Sequence, residues 1–129
     1  MPDPQTDSTR KKIIIVDDVI SNLDQARLIL DPYYQVYPAA SAKTMFKFLD
    51  KFVPDLILLD IEMPDINGYE AIKMLKADNR YINIPVIFLS AKCDEESEQY
   101  GKELGAAAFI SKPFSPQDLI ECIGLQLIC

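Results

Sequence analysis

Short, wholly apolar runs alternate along this chain with longer stretches of helical periodicity. Ile13-Ile14-Ile15-Val16 is followed by Leu23, Ala26 and Leu30 at helical spacing, predicting a strand over 13–16 and a helix near 20–30. Pro32 stops that helix. A second strand is predicted at 34–38, then a helix near 41–51 with Ser41 as its N-cap. Pro54 precedes a third strand, 55–60, which leads through Glu62-Met63-Pro64-Asp65-Ile66-Asn67-Gly68 into a helix over 68–77. Pro85 introduces a fourth strand, 86–89. Asp94 opens an acidic helix reaching Leu104, and Gly105 stops it. The fifth strand is 107–110, and Pro116 suits the first position of a last helix.

Five strand–helix pairs in succession call for a parallel sheet with helices on both faces. In open sheets of this kind, function gathers outside the carboxyl ends of the strands, near a switch in strand order. Three apolar runs end there in chemistry: the first in Asp17-Asp18, the third in Asp60, the fifth in Lys112. Ser90 ends the fourth. Adjacent strands would place three carboxylates, an ammonium and a hydroxyl on one edge. Residues 1–11, with Pro2, Pro4 and no periodicity, read as a flexible tail before one domain over 12–127.

Composition narrows the chemistry. A chain of 129 residues can bury a core that needs no staples. It contains no histidine, which excludes Ser-His or Cys-His nucleophiles, histidine-ligated zinc and an internal phosphohistidine. Metal ligation then falls to Asp and Glu, favouring a hard cation such as magnesium or manganese. The net charge of −7 argues against direct binding of nucleic acid or an anionic membrane. No apolar run approaches the ~20 residues of a membrane span, and the polar N-terminus lacks a signal-peptide core. Cys93, Cys122 and Cys129 have no metal-binding spacing and are odd in number, so a reduced cytoplasmic protein is expected.

Each strand-end residue also has an ordinary structural reading. Asp17-Asp18 could turn the chain and cap the first helix; Asp60 and Ser90 could do the same, and Lys112 could be a solvated surface lysine. Together they make one chemistry. Several carboxylates in one pocket repel unless a cation neutralises them, and a metal-held carboxylate can accept a phosphoryl group. Charge developing on the phosphoryl oxygens would be met by the cation, by Lys112, and by the Ser90 hydroxyl with nearby backbone N–H groups.

The segments Ile14-Ile15-Val16-Asp17-Asp18, Leu58-Leu59-Asp60-Ile61-Glu62-Met63-Pro64, Gly68-Tyr69-Glu70, Ile84-Pro85-Val86-Ile87-Phe88-Leu89-Ser90-Ala91 and Gly105-Ala106 through Lys112-Pro113-Phe114 resemble, in order and spacing, the receiver domains of two-component response regulators. The resemblance covers 12–127. It implies a flavodoxin-like, doubly wound fold with strand order 2-1-3-4-5, and Asp60 as phosphoacceptor. It implies Asp18 as a direct ligand of the divalent metal, Asp17 as a ligand directly or through water, and the Glu62 backbone carbonyl as a further ligand. Lys112 would bridge to the phosphoryl group, after a cis Lys112-Pro113 bond. Ser90 would follow the phosphoryl group, and Phe109 would swing inward behind it. The donor would be a histidine kinase or a histidine phosphotransfer protein.

Some positions depart from the common pattern. Phe109 stands where many relatives carry tyrosine, so it donates no hydrogen bond. Ser90 replaces threonine and lacks the methyl that helps fix its rotamer. Glu62 and Lys92 flank the site, where an ion pair between them would shield an acyl phosphate, the ordinary alternative being that both are simply solvated. The last helix carries Leu119, Ile120, Cys122, Ile123, Leu125, Leu127 and Ile128; core packing accounts for about half of these, leaving material for a phosphorylation-dependent homodimer or a docked segment. The rival readings are a phosphatase of haloacid-dehalogenase type, with Glu62 as its second acid, an FMN-binding flavodoxin, and a docking module that is never phosphorylated. The phosphatase needs a larger domain to close over substrate. Asp17-Asp18 would repel the phosphate of FMN.

Overall fold

The computed structural model describes residues 10–91 and 94–127. Residues 1–9 of the tail expected over 1–11, Lys92 with its proposed ion pair to Glu62, and Ile128 lie outside the described residues. Five strands alternate with five helices: β1 Lys12–Val16, α1 Ile20–Leu30, β2 Gln35–Ala39, α2 Ala42–Leu49, β3 Leu56–Asp60, α3 Gly68–Lys76, β4 Val86–Ser90, α4 Glu95–Glu103, β5 Ala108–Ser111 and α5 Pro116–Leu127. All pairings are parallel, in the order β2-β1-β3-β4-β5. The order reverses between β1 and β3, and their carboxyl ends carry the acidic residues.

Side-chain alternation divides the core between the two faces of the sheet. Ile14, Val16, Ile57, Leu59, Val86 and Phe88 face α2 and α3, packing on Met45, Ala71, Ile72 and Leu75. Ile13, Ile15, Leu56, Leu58, Ile87 and Leu89 face α1 and α5, meeting Leu23, Ala26, Leu30, Leu119 and Ile123. The central strands are apolar at consecutive positions because both of their faces are covered. Pro38 lies inside β2, where the missing N–H is tolerated because β2 is an edge strand.

Helix ends follow local chemistry. The Ser41 side chain accepts from Thr44 N–H, as expected, although α2 closes at Leu49 rather than 51. Asp94 caps α4 by accepting from Ser97 N–H. Gly105 follows α4 with φ of 108°, a left-handed conformation natural to glycine. Strands β2 and β5 each lie one residue later than the apolar pattern places them. In α5, Leu119 and Ile123 are buried, while Ile120, Cys122 and Leu127 pack partly against the core. Leu125 alone among the described apolar residues of α5 stands well out, 71% exposed. Core packing therefore claims more of this helix than the expected half. No helix among the described residues is long and apolar enough to cross a membrane.

Candidate functional site

Parallel register brings the strand ends to one edge. Val16 pairs with Leu59, so Asp17 and Asp60 follow side by side on adjacent strands. Asp60 pairs with Leu89, and Ser90 pairs with Ser111, the residue before Lys112. Lys112 N–H donates to the Ser90 carbonyl at 2.8 Å, and the Lys112-Pro113 bond is cis. Five of the residues singled out in the sequence thus meet here: Asp17, Asp18, Asp60, Ser90 and Lys112.

Lys112 Nζ bridges the two buried acids, 2.9 Å from Asp60 Oδ1 and 2.8 Å from Asp17 Oδ2. Asp17 is fully buried and Asp60 nearly so, whereas Asp18 is exposed. Asp17 serves local structure and the cluster together. Its Oδ1 accepts from Val19 N–H at 2.9 Å, turning the chain into α1. Its buried Oδ2 has the ammonium at ion-pair distance but no donor in hydrogen-bonding geometry. The ammonium approaches at 2.8 Å outside hydrogen-bonding geometry, so this oxygen is only partly compensated. A buried carboxylate oxygen in that condition wants a cation.

One oxygen from each of Asp17, Asp18 and Asp60 lies within 4.8 Å of the others. This all-carboxylate donor set fits a hard divalent cation such as magnesium and suits no soft metal. Glu62 is exposed and joins Ile61, Met63, Asn67, Tyr69, Ser90 and Ser97 around a crevice of about 480 Å³. Phe109 is half-buried against Phe88, with ring centroids 5.7 Å apart.

Burial pushes the Asp60 carboxyl up to about 6. The Lys112 hydrogen bond opposes that rise, and the neighbouring Asp17 and Asp18 reinforce it. For Lys112, burial acts downward but is outweighed by the adjacent Asp17 and Asp60 carboxylates, so the ammonium is held above its ordinary range. The Asp60 shift makes a pH prediction. Because the folded protein holds this proton more tightly than the unfolded chain, stability of the metal-free protein falls as pH rises from about 4 to about 6. The loss amounts to as much as ~3 kcal/mol and levels off above that window. Asp60→Asn removes this descending limb. Urea denaturation across pH in the presence of a chelator measures it, and identical slopes for both proteins would contradict the assignment.

The loop from Asp60 into α3 is held by a feature missed in the sequence. Asn67 and Glu70 form a reciprocal capping box: Glu70 N–H donates to Asn67 Oδ1 at 2.9 Å, and Asn67 N–H to Glu70 Oε1 at 3.2 Å. The Asn-x-x-Glu spacing ahead of an apolar stripe was the available signal. Gly68 N–H donates to the Ile61 carbonyl at 2.8 Å, so the first residue of α3 sits directly on the end of β3. Asp65, with φ of 67°, supplies the tight bend between them.

Comparison with known proteins agrees with this geometry. Residues 13–124 match the family described as the response regulator receiver domain. Over 109 residues the chain is 41% identical to a probable cyclic di-GMP phosphodiesterase of Vibrio cholerae, a match covering 84% of this chain and 25% of that protein. It is 36% identical over 111 residues to the phosphate regulon transcriptional regulatory protein PhoB of Pseudomonas aeruginosa, covering 85% and 48%. The chain therefore spans between a quarter and a half of these curated relatives. Among solved structures, the chemotaxis protein CheY4 of Vibrio cholerae superposes with a TM-score of 0.88 at 30% identity, covering 92% of this chain and 100% of that one. Strand order, acidic cluster, bridging lysine and matched segment agree, and the chain belongs to the response-regulator receiver domain family.

Proposed function

We propose that this receiver domain is a phosphorylation-dependent switch that takes a phosphoryl group onto Asp60. The observation that carries the reading is the Lys112 ammonium bridging Asp60 and Asp17 within an all-oxygen acidic cluster. The donor is a phosphohistidine of a histidine kinase or a histidine phosphotransfer protein, since this chain has no histidine of its own. The P–N bond of the donor breaks as an Asp60 carboxylate oxygen forms the new P–O bond. The electron pair leaves on the imidazole nitrogen, which takes up a proton. Hydrolysis reverses the state: water attacks phosphorus and the Asp60 carboxylate departs.

Asp17, Asp18, Asp60 and the backbone carbonyl of Glu62 would hold magnesium or manganese, which supplies charge neutralisation at the transferring phosphoryl oxygens when bound. Lys112 already touches the acceptor carboxylate, so it is placed to follow charge from Asp60 to the phosphoryl oxygens. The Ser90 hydroxyl, buried at the end of the neighbouring strand, serves a further oxygen. Phosphorylation adds roughly two negative charges to Asp60. Ser90 moves toward that charge, Phe109 turns inward behind it, and the surface of α4, β5 and α5 repacks for output. A phosphorylation-dependent homodimer would use the same surface, where Leu125 stands exposed. Receiver domains are phosphoacceptors rather than enzymes turning over a separate substrate.

Incubation with acetyl phosphate and magnesium is expected to add one phosphoryl group to the native protein. The adduct is expected to be labile to base and absent from Asp60→Asn. Intact-mass spectrometry reads both, and an adduct of equal yield on the variant would overturn the assignment.

A further inference from the structure

Gly101 has no conformational reason to be glycine. It lies inside α4, outside the left-handed region that only Gly105 occupies among the described glycines. At an ordinary helical position alanine is the more stable residue. Gly101 is also the only buried residue of α4; the rest of the helix is polar or exposed. A Cβ at this position would stand 2.8 Å from Phe109 Cε2, and 3.1 and 3.2 Å from Phe88 Cδ2 and Cε2. The bare α4 backbone is therefore the wall against which the edge of the Phe109 ring rests.

The two neighbouring rings differ in their freedom. Phe88 is fully buried in the core of β4 and has nowhere to go. Phe109, half-buried on β5, can rotate outward. On the other side of Gly101, Tyr100 is pinned to α3. Its ring meets that of Tyr69 at 4.8 Å and 66°, and Lys73 Nζ lies 6.0 Å from its centroid. Tyr69 in turn packs edge-on against Phe88 at 5.5 Å. With so little apolar surface of its own, α4 is located by the pair Tyr100-Gly101 on this aromatic row.

We propose that Gly101 is the positioning residue of the switch: it seats the Phe109 ring against the α4 backbone, so that ring orientation and helix position are set together. This role rests on the reading of Phe109 as the mobile aromatic and adds the element that senses it. Any side chain at 101 must either expel the ring or lift the helix.

The test uses protein labelled with 3-fluorophenylalanine, with the Phe109 resonance assigned by its loss in Phe109→Leu. In Gly101→Ala without any phosphoryl mimic, that resonance is expected to move toward the exposed position and to gain a solvent isotope shift. The melting temperature is expected to fall when Gly101→Ala is made in the native background, and to fall by less when Gly101→Ala is added to Phe109→Ala, each pair compared with its own parent. A Phe109 resonance unchanged by Gly101→Ala in the folded protein would overturn the proposal. If Gly101→Ala does not fold, folding of the double variant supports the proposal and its continued failure overturns it. Beryllofluoride binding to the native protein is followed separately. Its absence would defeat the phosphoacceptor reading while leaving the resting-state comparison of Phe109 decisive for Gly101.

Discussion

Lys112→Met is expected to lower the stability of the metal-free protein by ~3 kcal/mol at neutral pH, because it strands two buried carboxylates beside one another. Methionine keeps most of the apolar stem and removes the charge, so packing changes little. The native ammonium touches Asp17 and Asp60 at once, and both are almost fully buried. Without it, their mutual repulsion in a low dielectric is relieved only by taking up a proton. The loss should therefore shrink at mildly acidic pH, where Asp60, already raised to about 6, becomes neutral in either protein. Urea denaturation with a chelator, at neutral and acidic pH, reads the difference. A variant as stable as the native protein at neutral pH would sink the idea that Lys112 compensates this pair.

The same substitution separates the two cationic roles at the site. In the metal-free protein Lys112 does part of what a divalent ion would do, and the partly compensated Asp17 Oδ2 shows that it does so incompletely. Removing the ammonium should tighten magnesium binding by about tenfold or more, since a competing positive charge a few ångströms away is gone. Phosphoryl transfer from acetyl phosphate should slow in the same variant if, as proposed, Lys112 meets the incoming phosphoryl oxygens. Tighter metal with slower chemistry is a combination that simple unfolding cannot produce.

The strand ends were readable before any coordinates because a parallel sheet forces its chemistry to one edge, and apolar runs mark the strands plainly. Asp17, Asp60, Ser90 and Lys112 all close such runs, and the register of β1, β3, β4 and β5 brings them together. Strand order was not readable from periodicity, which carries no neighbour information, and came instead from resemblance to receiver domains. Residues 34 and 107 begin β-like apolar stretches, yet β2 and β5 start one residue later, because pairing to the neighbouring strand fixes where a ladder begins. One Asp17 oxygen turns the chain into α1, without a side-chain cap on that helix, while the other faces Lys112 in the cluster, so the two placements are compatible. The row Tyr100, Tyr69, Phe88, Phe109 could not be seen in advance, since it joins four elements distant in sequence.

Gly68→Ala is expected to cost ~1–3 kcal/mol and to slow phosphoryl acceptance by Asp60 by about tenfold or more. A Cβ at this position would lie 2.6 Å from the Asp60 carbonyl oxygen and 2.7 Å from Ile61 Cα. Both are backbone atoms, so no rotamer change can make room. Either the start of α3 lifts, breaking the Gly68 N–H to Ile61 carbonyl bond, or the end of β3 bends and carries the Asp60 carboxylate away from Lys112. Gly124 is the internal control. A Cβ there would meet nothing within 4 Å, so Gly124→Ala should stabilise α5 by about 1 kcal/mol through helix propensity alone. The rate of adduct formation with acetyl phosphate, read beside urea denaturation, separates strain at the site from general loss of fold. Gly68→Ala matching the native protein in both measurements would show that the contact between α3 and β3 does not position the acceptor.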